Sequence, residues 1–308
     1  ERTLFDRIFH LSVAEGQTVP PEEMHTWLEG QFGSVEAVKR QRIVKVTNLV
    51  TMEGTVFNEL RSRRPIEAPA IDKELEDLIQ SSDGGPFCHP EIGTPADTFG
   101  RIRSVHAITA ANVAKYDGWH GVIIFDEHHP LHFNEEQVAD YLDTARRWAQ
   151  RAHEADPRSR YPFFLWNCLW KAGASILHGH AQIVLTCDMH YAQVEKWRRS
   201  ALQYEEDFGC NYFSDLITVN KALGLAITRG AVHIVVSLTP YKEKETYVIS
   251  KKLDSHFASA LYHVLDTFCH QLGVHSFNVA IYQPPVASTP ERWDHFPFVA
   301  RIVDRGDL

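Results

Sequence analysis

A short segment near the middle of the chain combines residue types that suit phosphate chemistry. It reads Ser175-Ile-Leu-His178-Gly-His180-Ala-Gln182 and leads into an apolar, strand-like run. Side chains two positions apart on a strand point to one face, so His178, His180 and Gln182 are predicted to lie along one side. Gly173 and Ser175 precede them in a loop of small residues, where backbone amides can approach an anion closely.

Two imidazoles, an amide and a small-residue loop on one face predict a phosphate-handling site. A neutral imidazole can attack phosphorus and form a phosphoramidate, which splits one displacement into two steps. Gln182 can hydrogen-bond a non-bridging oxygen, and the loop amides can stabilise the charge that develops. The same spacing also fits a solvated sheet face or a structural metal site, so spacing alone leaves all three interpretations open.

The overall composition narrows the class of protein. The chain of 308 residues carries a net charge of −9, so its bulk electrostatics would repel a nucleic acid polymer. Its five cysteines are widely spaced and odd in number, which is not the pattern of a disulfide framework. No apolar run approaches the roughly 18 residues that span a bilayer, and the first residues do not resemble a signal peptide. We therefore expect a cytoplasmic protein that makes no membrane contact.

The elements around the reactive segment predict an α+β unit. Residues 121–125 form a compact apolar run that is typical of a buried strand. Asn134 is a suitable N-cap for a following helix, whose apolar positions recur at i, i+3, i+4 and i+7. Strand-like runs at 161–166 and 181–186 come next, and the small-residue loop joins them. The stretch 66–100 is rich in Pro, Gly, Ser and Asp and is interpreted as loop with one short helix.

A second set of strand-like runs, with one helix capped by Asp254, repeats this order. The runs lie at 233–238, 246–249, 277–282 and 298–303. We therefore predict two half-units of antiparallel sheet with packed helices, related by internal duplication. Residues 1–190 would form the half that carries the motif, and 191–308 the second half.

The two predicted halves differ in their reactive side chains. Where the first has His178-Gly-His180-Ala-Gln182, the second has His295-Phe-Pro297-Phe-Val299. Only the first half keeps the full set, so the second is predicted to be a degenerate copy.

The reactive segment resembles a known active site. The residues that match at corresponding spacings are Asn167, Gly173, Ser175, His178, His180 and Gln182. Together they resemble the active-site segment of galactose-1-phosphate uridylyltransferases. Those proteins are a branch of the histidine-triad superfamily, which also contains the diadenosine-tetraphosphate and ADP-glucose phosphorylases.

Two further matches lie upstream in the same order as in that family. The first match has two parts. Val46-Thr-Asn48-Leu-Val-Thr-Met-Glu53-Gly is similar to the family's amino-terminal strand, and Leu60-Arg61-Ser-Arg-Arg64-Pro65 is similar to its basic segment. The second, Gly121-Val-Ile-Ile-Phe-Asp-Glu127-His128, is one residue shorter than its counterpart. The resemblance covers roughly residues 40–190 well, and the remainder only as a degenerate repeat.

The resemblance implies a role for each matching residue. His180 would be the nucleophile that carries the nucleotidyl group, with His178 beside it. The residues that would contact phosphate or hold the nucleotide are Gln182, Ser175, Gly173, Asn167, Arg61 and Arg64. Guanidinium geometry suits phosphate, although a solvated basic turn is the alternative for the two arginines.

The resemblance also implies a structural zinc site that is only partly kept. Family members bind zinc through Cys-x-x-Cys and two histidines, and here Gly85 stands where the first cysteine would be. Cys88, His128 and His178 remain, three of the four ligands of a closed tetrahedral site. His129 competes with His128, and His89 or Asp83 are candidates for the missing position. The family's second metal motif is reduced to His295-Phe-Pro297, so no second metal is expected.

The resemblance implies an activity and leaves its substrates open. We expect transfer of a nucleotidyl group from a nucleotide sugar or a dinucleotide to phosphate or a sugar 1-phosphate, with no organic cofactor. The alternatives are a hydrolase that passes the same intermediate to water and a relative that binds nucleotides without turnover. A homodimer is expected by analogy with the family alone.

Overall fold

The computed structural model describes residues 1–62 and 72–306, and the contacts divide the chain into two compact units. The first comprises Glu1–Ala70 with Leu238–Tyr241, and the second comprises Ile71–Ser237 with Lys242–Leu308. Both predicted halves of the repeat contribute strands to the sheet of the second unit. The division at residue 190 therefore concerns that unit and stays a prediction.

The first unit contains one small antiparallel sheet. Its helices are α1 (Arg2–Ile8), α2 (His25–Phe32), α3 (Val35–Lys39) and α4 (Glu59–Ser62), and its strands are β1 (Phe9–Gln17), β2 (Arg40–Asn48) and β3 (Gly54–Phe57). The strand order is β1-β2-β3. Arg61 lies in α4, whereas Arg64 lies outside the described residues, so both phosphate contacts implied by the resemblance stay predictions.

The second unit begins with two helices and the strands of the first half. These elements are α5 (Asp72–Ser81), α6 (Pro90–Gly93), β4 (Ala107–Ala111), β5 (Trp119–Phe125), α7 (Glu135–Ala155), β6 (Ser159–Cys168) and β7 (His180–Cys187). The stretch predicted as loop with one short helix thus contains two helices. In α5 the buried Leu75 and Ile79 are four residues apart and lie on one face of the helix.

The second half follows two connecting helices. The connecting helices are α8 (Ala192–Phe208) and α9 (Tyr212–Ala222), followed by β8 (Ala226–Arg229), β9 (Val232–Val236), β10 (Thr246–Ser250), α10 (Ser255–Asp266), β11 (Phe277–Tyr282) and β12 (Phe298–Asp304). Among the described residues, no helix has the length and apolarity required to cross a membrane.

The two halves form one antiparallel sheet with a mirrored strand order. The order is β4-β5-β7-β6-β11-β12-β10-β9-β8, so the halves meet where β6 pairs with β11. Individual pairs repeat at one offset: Leu165 pairs with Gln182 as Tyr282 pairs with Val299. The predicted α+β class with antiparallel sheet and packed helices is confirmed. The common origin of the halves stays a prediction that this repeated register supports.

The long helix of each half begins at the predicted cap and packs on the sheet. The Asn134 side chain accepts a hydrogen bond from the Gln137 backbone amide, and the Gln137 side chain accepts one from the Asn134 backbone amide. The two bonds form a capping box at the start of α7. The Asp254 side chain accepts from the amides of His256 and Phe257 at the start of α10. The buried faces of α7 and α10 join the main hydrophobic core with strands from both halves.

Candidate active site

His180 is the first residue of β7, and its ring is held in one tautomer. Its Nδ1 lies 2.9 Å from the carbonyl oxygen of His178, so Nδ1 carries the proton and donates it. The lone pair is thereby assigned to Nε2, the atom that a nucleophilic role requires. The residue is only 7% exposed, and burial lowers the pKa of His180, which favours the neutral imidazole.

Gly179 connects the two histidines in a backbone position that excludes a side chain. Its amide donates to the carbonyl of His128 at 3.0 Å, and its carbonyl accepts from the Phe125 amide at 3.0 Å. A Cβ at this position would lie 2.8 Å from the Phe125 ring and 3.0 Å from the Glu127 carbonyl. Glycine therefore allows β7 to start close against the end of β5, which places His180 across from Ile124.

Gln182 lies two residues along β7, on the same face as His180, and neighbouring side chains orient its amide. His120 Nε2 lies 3.1 Å from Gln182 Oε1 and 3.1 Å from the Asn112 side-chain amide, and the Tyr116 amide donates to His120 Nδ1 at 3.4 Å. The Tyr116 hydroxyl lies 3.4 Å from the same oxygen. With Oε1 occupied as an acceptor, Gln182 presents its NH2 group as a donor to an anion.

The loop between β6 and β7 is held from the other half of the sheet. The side chain of Asn278, on β11, donates to Asn167 Oδ1 at 2.6 Å and to the Ala172 carbonyl at 2.8 Å. This leaves the Asn167 NH2 group toward Gly173, where it would lie 3.7 Å from an added Cβ. Gly173 has φ = +101°, a conformation that favours glycine.

Ser175 lies further along the same loop, between Gly173 and His178. It is exposed, and its hydroxyl has no hydrogen-bond partner within the described part of the chain. The structure thus leaves this hydroxyl available for the phosphate contact that the resemblance implies.

His178 contacts a different set of residues from His180. Its Nδ1 lies 3.0 Å from His128 Nδ1 and 3.4 Å from Cys88 Sγ, and the three ligand atoms all lie within 4.8 Å of one another. His178 Nε2 donates to the Phe125 carbonyl at 2.7 Å, and His128 Nε2 donates to the Ile79 carbonyl at 3.0 Å. In two neutral imidazoles with this arrangement, both Nδ1 atoms present lone pairs toward each other, which a bound cation can accept.

This Cys/His/His group can hold a metal ion. A thiolate with two imidazoles, each oriented by a bond from its other nitrogen to a carbonyl, is a donor set typical of zinc. His128 is the histidine that joins the group, and His129 instead contacts Glu76. Asp83 Oδ1 accepts from Cys88 Sγ at 3.5 Å, and among the described residues neither Asp83 nor His89 belongs to the group of three.

A buried apolar cluster beside His180 was not predicted from the sequence. It consists of Ile108, Ala110, Val122 and Ile124, with Phe87 packed against it. The Phe87 ring meets the His180 ring edge-on, with centroids 5.2 Å apart. The alternation of Val122 and Ile124 on β5 could have predicted that these two side chains share a face. No local pattern could have predicted Phe87, because it contacts His180 from 93 positions away in the chain.

Two polar residues of the site were also missed. His120 and Asn278 touch the predicted residues Gln182 and Asn167, yet they lie 62 and 111 positions away. Neither belongs to a motif, since each reaches the site through strand order alone.

Comparison with known proteins gives structural matches only. No family model matches the chain, and no curated protein does. An ADP-glucose phosphorylase from Arabidopsis thaliana, solved with bound ADP-glucose, has a TM-score of 0.64 and 18% identity over 84% of this chain and 88% of that one. A GalT-like protein from Arabidopsis thaliana has a TM-score of 0.59 and 18% identity over 72% and 82%. The chain has the uridylyltransferase-like fold.

A further solved structure agrees with this assignment. A uridylyltransferase has a TM-score of 0.56 and 15% identity over 84% of this chain and 85% of that one. The uridylyltransferase-like fold is the one that the resemblance of the reactive segment implied. At these identities the matches establish the fold, and function is argued from the site itself.

Proposed function

We propose that this protein transfers a nucleotidyl group through a covalent intermediate on His180. The observation that carries the proposal is the fixed tautomer of His180, because Nδ1–H bonded to the His178 carbonyl leaves Nε2 as the nucleophile. In the first step Nε2 attacks the α-phosphorus of the donor, the P–N bond forms, and the leaving phosphate oxygen takes the electron pair. In the second step an acceptor oxygen attacks phosphorus, and the P–N electrons return to Nε2.

The surrounding residues have distinct parts in this proposal. The Gln182 NH2 group, with its oxygen accepting from the Tyr116 hydroxyl, donates to a non-bridging oxygen of the α-phosphate. Ser175 and the amides near Gly173 contact the same phosphate, and Asn167 holds that loop. The His178 carbonyl accepts from Nδ1 and stabilises the imidazolium character that develops while phosphorus is bonded.

The apolar cluster beside the nucleophile supports a nucleotide as the donor. Phe87 and the floor of Ile108, Val122 and Ile124 suit the flat face of a nucleobase. We therefore propose a nucleotide sugar or a dinucleotide as the donor and phosphate or a sugar 1-phosphate as the acceptor. A solved neighbour of the same fold holds ADP-glucose, which makes ADP-glucose the first donor to test.

The proposal is tested by a screen of donors with and without an acceptor. Nucleoside diphosphate sugars and dinucleoside polyphosphates are incubated with the protein, and nucleotide release is measured with phosphate, with glucose 1-phosphate and with neither. We expect release to depend on the acceptor and to follow ping-pong kinetics. Equal release without any acceptor would instead identify a hydrolase, and tight binding of donor without release would identify a non-catalytic relative.

We also propose that Cys88, His128 and His178 hold a structural zinc ion. When bound, the ion would supply a rigid cross-link between the segments that carry these three residues. Because His178 precedes His180 by two residues, this cross-link would fix the start of β7 and hence the nucleophile. Asp83 or a water would fill the fourth position left by Gly85.

The zinc proposal is tested by metal content and stability. We expect about one zinc ion per chain by elemental analysis and a lower Tm after chelation. Cys88→Ser should lose the zinc ion and show the same lower Tm. The matched control is Cys187→Ser, an exposed cysteine outside the group. Absence of stoichiometric metal from the protein as isolated, with no change in Tm on chelation, would remove the proposal.

A further inference from the structure

The second unit contains a cavity of about 400 Å³ whose polar lining is almost entirely arginine. Four arginines line it, and no carboxylate does: they are Arg101, Arg103, Arg147 and Arg151. The chain as a whole carries a net charge of −9, so this local concentration of positive charge runs against the overall balance. Such a concentration in a concave site attracts a small anion.

The cavity lies on the face of the sheet opposite to His180. Ile124 pairs with His180, and the preceding residue, Ile123, pairs with Thr109, so these two pairs point to opposite faces. The face of Thr109 and Ile123 is the one covered by α7, as the close approach of Trp148 to Gly121 shows. Because Arg147 and Arg151 belong to α7, the cavity is separate from the candidate active site.

Two of the four guanidiniums have no carboxylate partner among the described residues. Arg101 is held by the hydroxyl and carbonyl of Thr94 at 3.1 and 2.5 Å and by the Thr109 carbonyl at 3.1 Å, all uncharged groups. Arg147 donates only to the Arg103 carbonyl, at 3.4 Å. These contacts position the two guanidiniums and leave their charges uncompensated.

The other two arginines are partly neutralised from outside the cavity. Arg103 pairs with Asp126 at 2.7 Å, and Arg151 lies 3.9 Å from Glu154. Arg147 and Arg151 are also four residues apart on α7, a like-charged spacing that destabilises a helix. The lining therefore keeps a positive charge that its carboxylate neighbours offset only in part.

We propose that this cavity binds a small anion carrying two or more phosphate groups. Guanidinium groups match phosphate oxygens in pairs, and several of them together favour a di- or triphosphate over a single phosphate. The volume falls in the range of small-molecule sites, which is roughly 300–1,000 Å³. Gln150 supplies a neutral donor and Phe99 an aromatic surface in the same cavity, so the anion is either free pyrophosphate or the diphosphate of a nucleotide.

The test measures binding of inorganic pyrophosphate and of ADP by titration calorimetry. Both probes are titrated into the wild type, into the double variant Arg147→Gln/Arg151→Gln, and into the control Arg146→Gln/Arg158→Gln. The control removes the same charge from two exposed arginines, of which Arg146 pairs with Asp143 and Arg158 with Asp156. Circular dichroism checks that each variant is folded.

We expect the double variant to weaken one binding event about tenfold or more and the control to leave it unchanged. A stronger effect on ADP than on pyrophosphate would assign the diphosphate to a nucleotide, and an equal effect would assign it to free pyrophosphate. Unchanged binding in the double variant, or an equal loss in the control, would overturn the proposal. The His180→Gly protein should keep this binding event, so the result is independent of the proposed reaction at His180.

Discussion

The two halves of the large sheet share a strand register but differ in what covers the equivalent face. In the first half, the face that carries His180 and Gln182 meets the Phe87 segment and remains lined with polar donors. In the second half, Trp197 of α8 packs on this face, with ring centroids 5.4 Å from Tyr247 and 5.5 Å from Tyr282.

The chemical difference follows from this covering. At the offset that matches the registers, Pro297 corresponds to His180 and Val299 to Gln182. His295, which corresponds to His178, is buried, and its Nε2 lies 3.2 Å from the Arg198 carbonyl. One half therefore keeps His180 and Gln182 on this face, while the other uses the same scaffold for packing. Because both halves have the scaffold, the reactive set depends on the side chains of one face and on what packs against that face.

The largest expected effect separates the two equivalent positions. His180→Gly should reduce turnover by about four to six orders of magnitude, because it removes the atom that attacks phosphorus. Pro297→Gly should change turnover by less than about threefold, since nothing reacts in the second half. Steady-state kinetics with the donor found by screening measures both. Similar losses in the two variants would break the comparison.

The second prediction concerns the side-chain amide of Gln182, which the second half replaces with Val299. Gln182→Val introduces the residue found at the corresponding position and should lower kcat about 100-fold, as expected when one donor to a developing charge is removed. Gln283→Val, at the residue that follows β11, serves as the control and should stay within a factor of about three of wild type. A loss confined to KM in Gln182→Val would place Gln182 in ground-state binding instead.

The third effect tests how the second half still contributes to the site. Asn278→Ala should lower kcat about tenfold, because the loop that carries Gly173 loses its two anchors. It should also reduce the free energy of unfolding by about 1 kcal/mol through lost hydrogen bonds. Asn220→Ala removes a buried hydrogen bond to Leu216, at 2.8 Å within α9, and is the matched control. Equal stability losses with a kcat loss only in Asn278→Ala would identify a positioning role, whereas unchanged kcat in both would exclude it.

The smallest effect concerns packing of the long helix in each half. Gly121 corresponds to Val248, and an added Cβ at Gly121 would lie 2.9 Å from the Trp148 ring. Gly121→Ala should therefore cost about 1–3 kcal/mol of unfolding free energy. Val248→Ala, which removes fully buried atoms at the equivalent position, should cost a similar amount through a cavity. Chemical denaturation compares them, and a neutral Gly121→Ala would show that α7 can shift away from the sheet.

Local patterns in the sequence predicted much of the second unit. The cap residues Asn134 and Asp254 predicted where two helices begin, and the apolar runs predicted the strands. Both signals act over only a few residues. The order of elements also indicated the repeat that the strand registers now support. In the stretch 66–100 one short helix was predicted, whereas the structure has two, α5 and α6.

Contacts over long stretches of chain could not be predicted in this way. The grouping of Cys88 with His128 and His178 came from resemblance, since periodicity does not bring residues 90 positions apart together. Asn278 and His120 enter the site because β11 lies beside β6 and β5 beside β7. Local spacing does not specify that strand order, so neither residue carried a signal that sequence reasoning could use.

The most direct test of the account is to trap the intermediate on His180. The protein is mixed with donor labelled at the α-phosphate, such as ADP-glucose, without acceptor, and the label on the protein is mapped by peptide analysis. We predict an acid-labile, base-stable label on His180 that moves to phosphate or a sugar 1-phosphate when acceptor is added. Labelling and turnover that persist in His180→Gly would contradict the account.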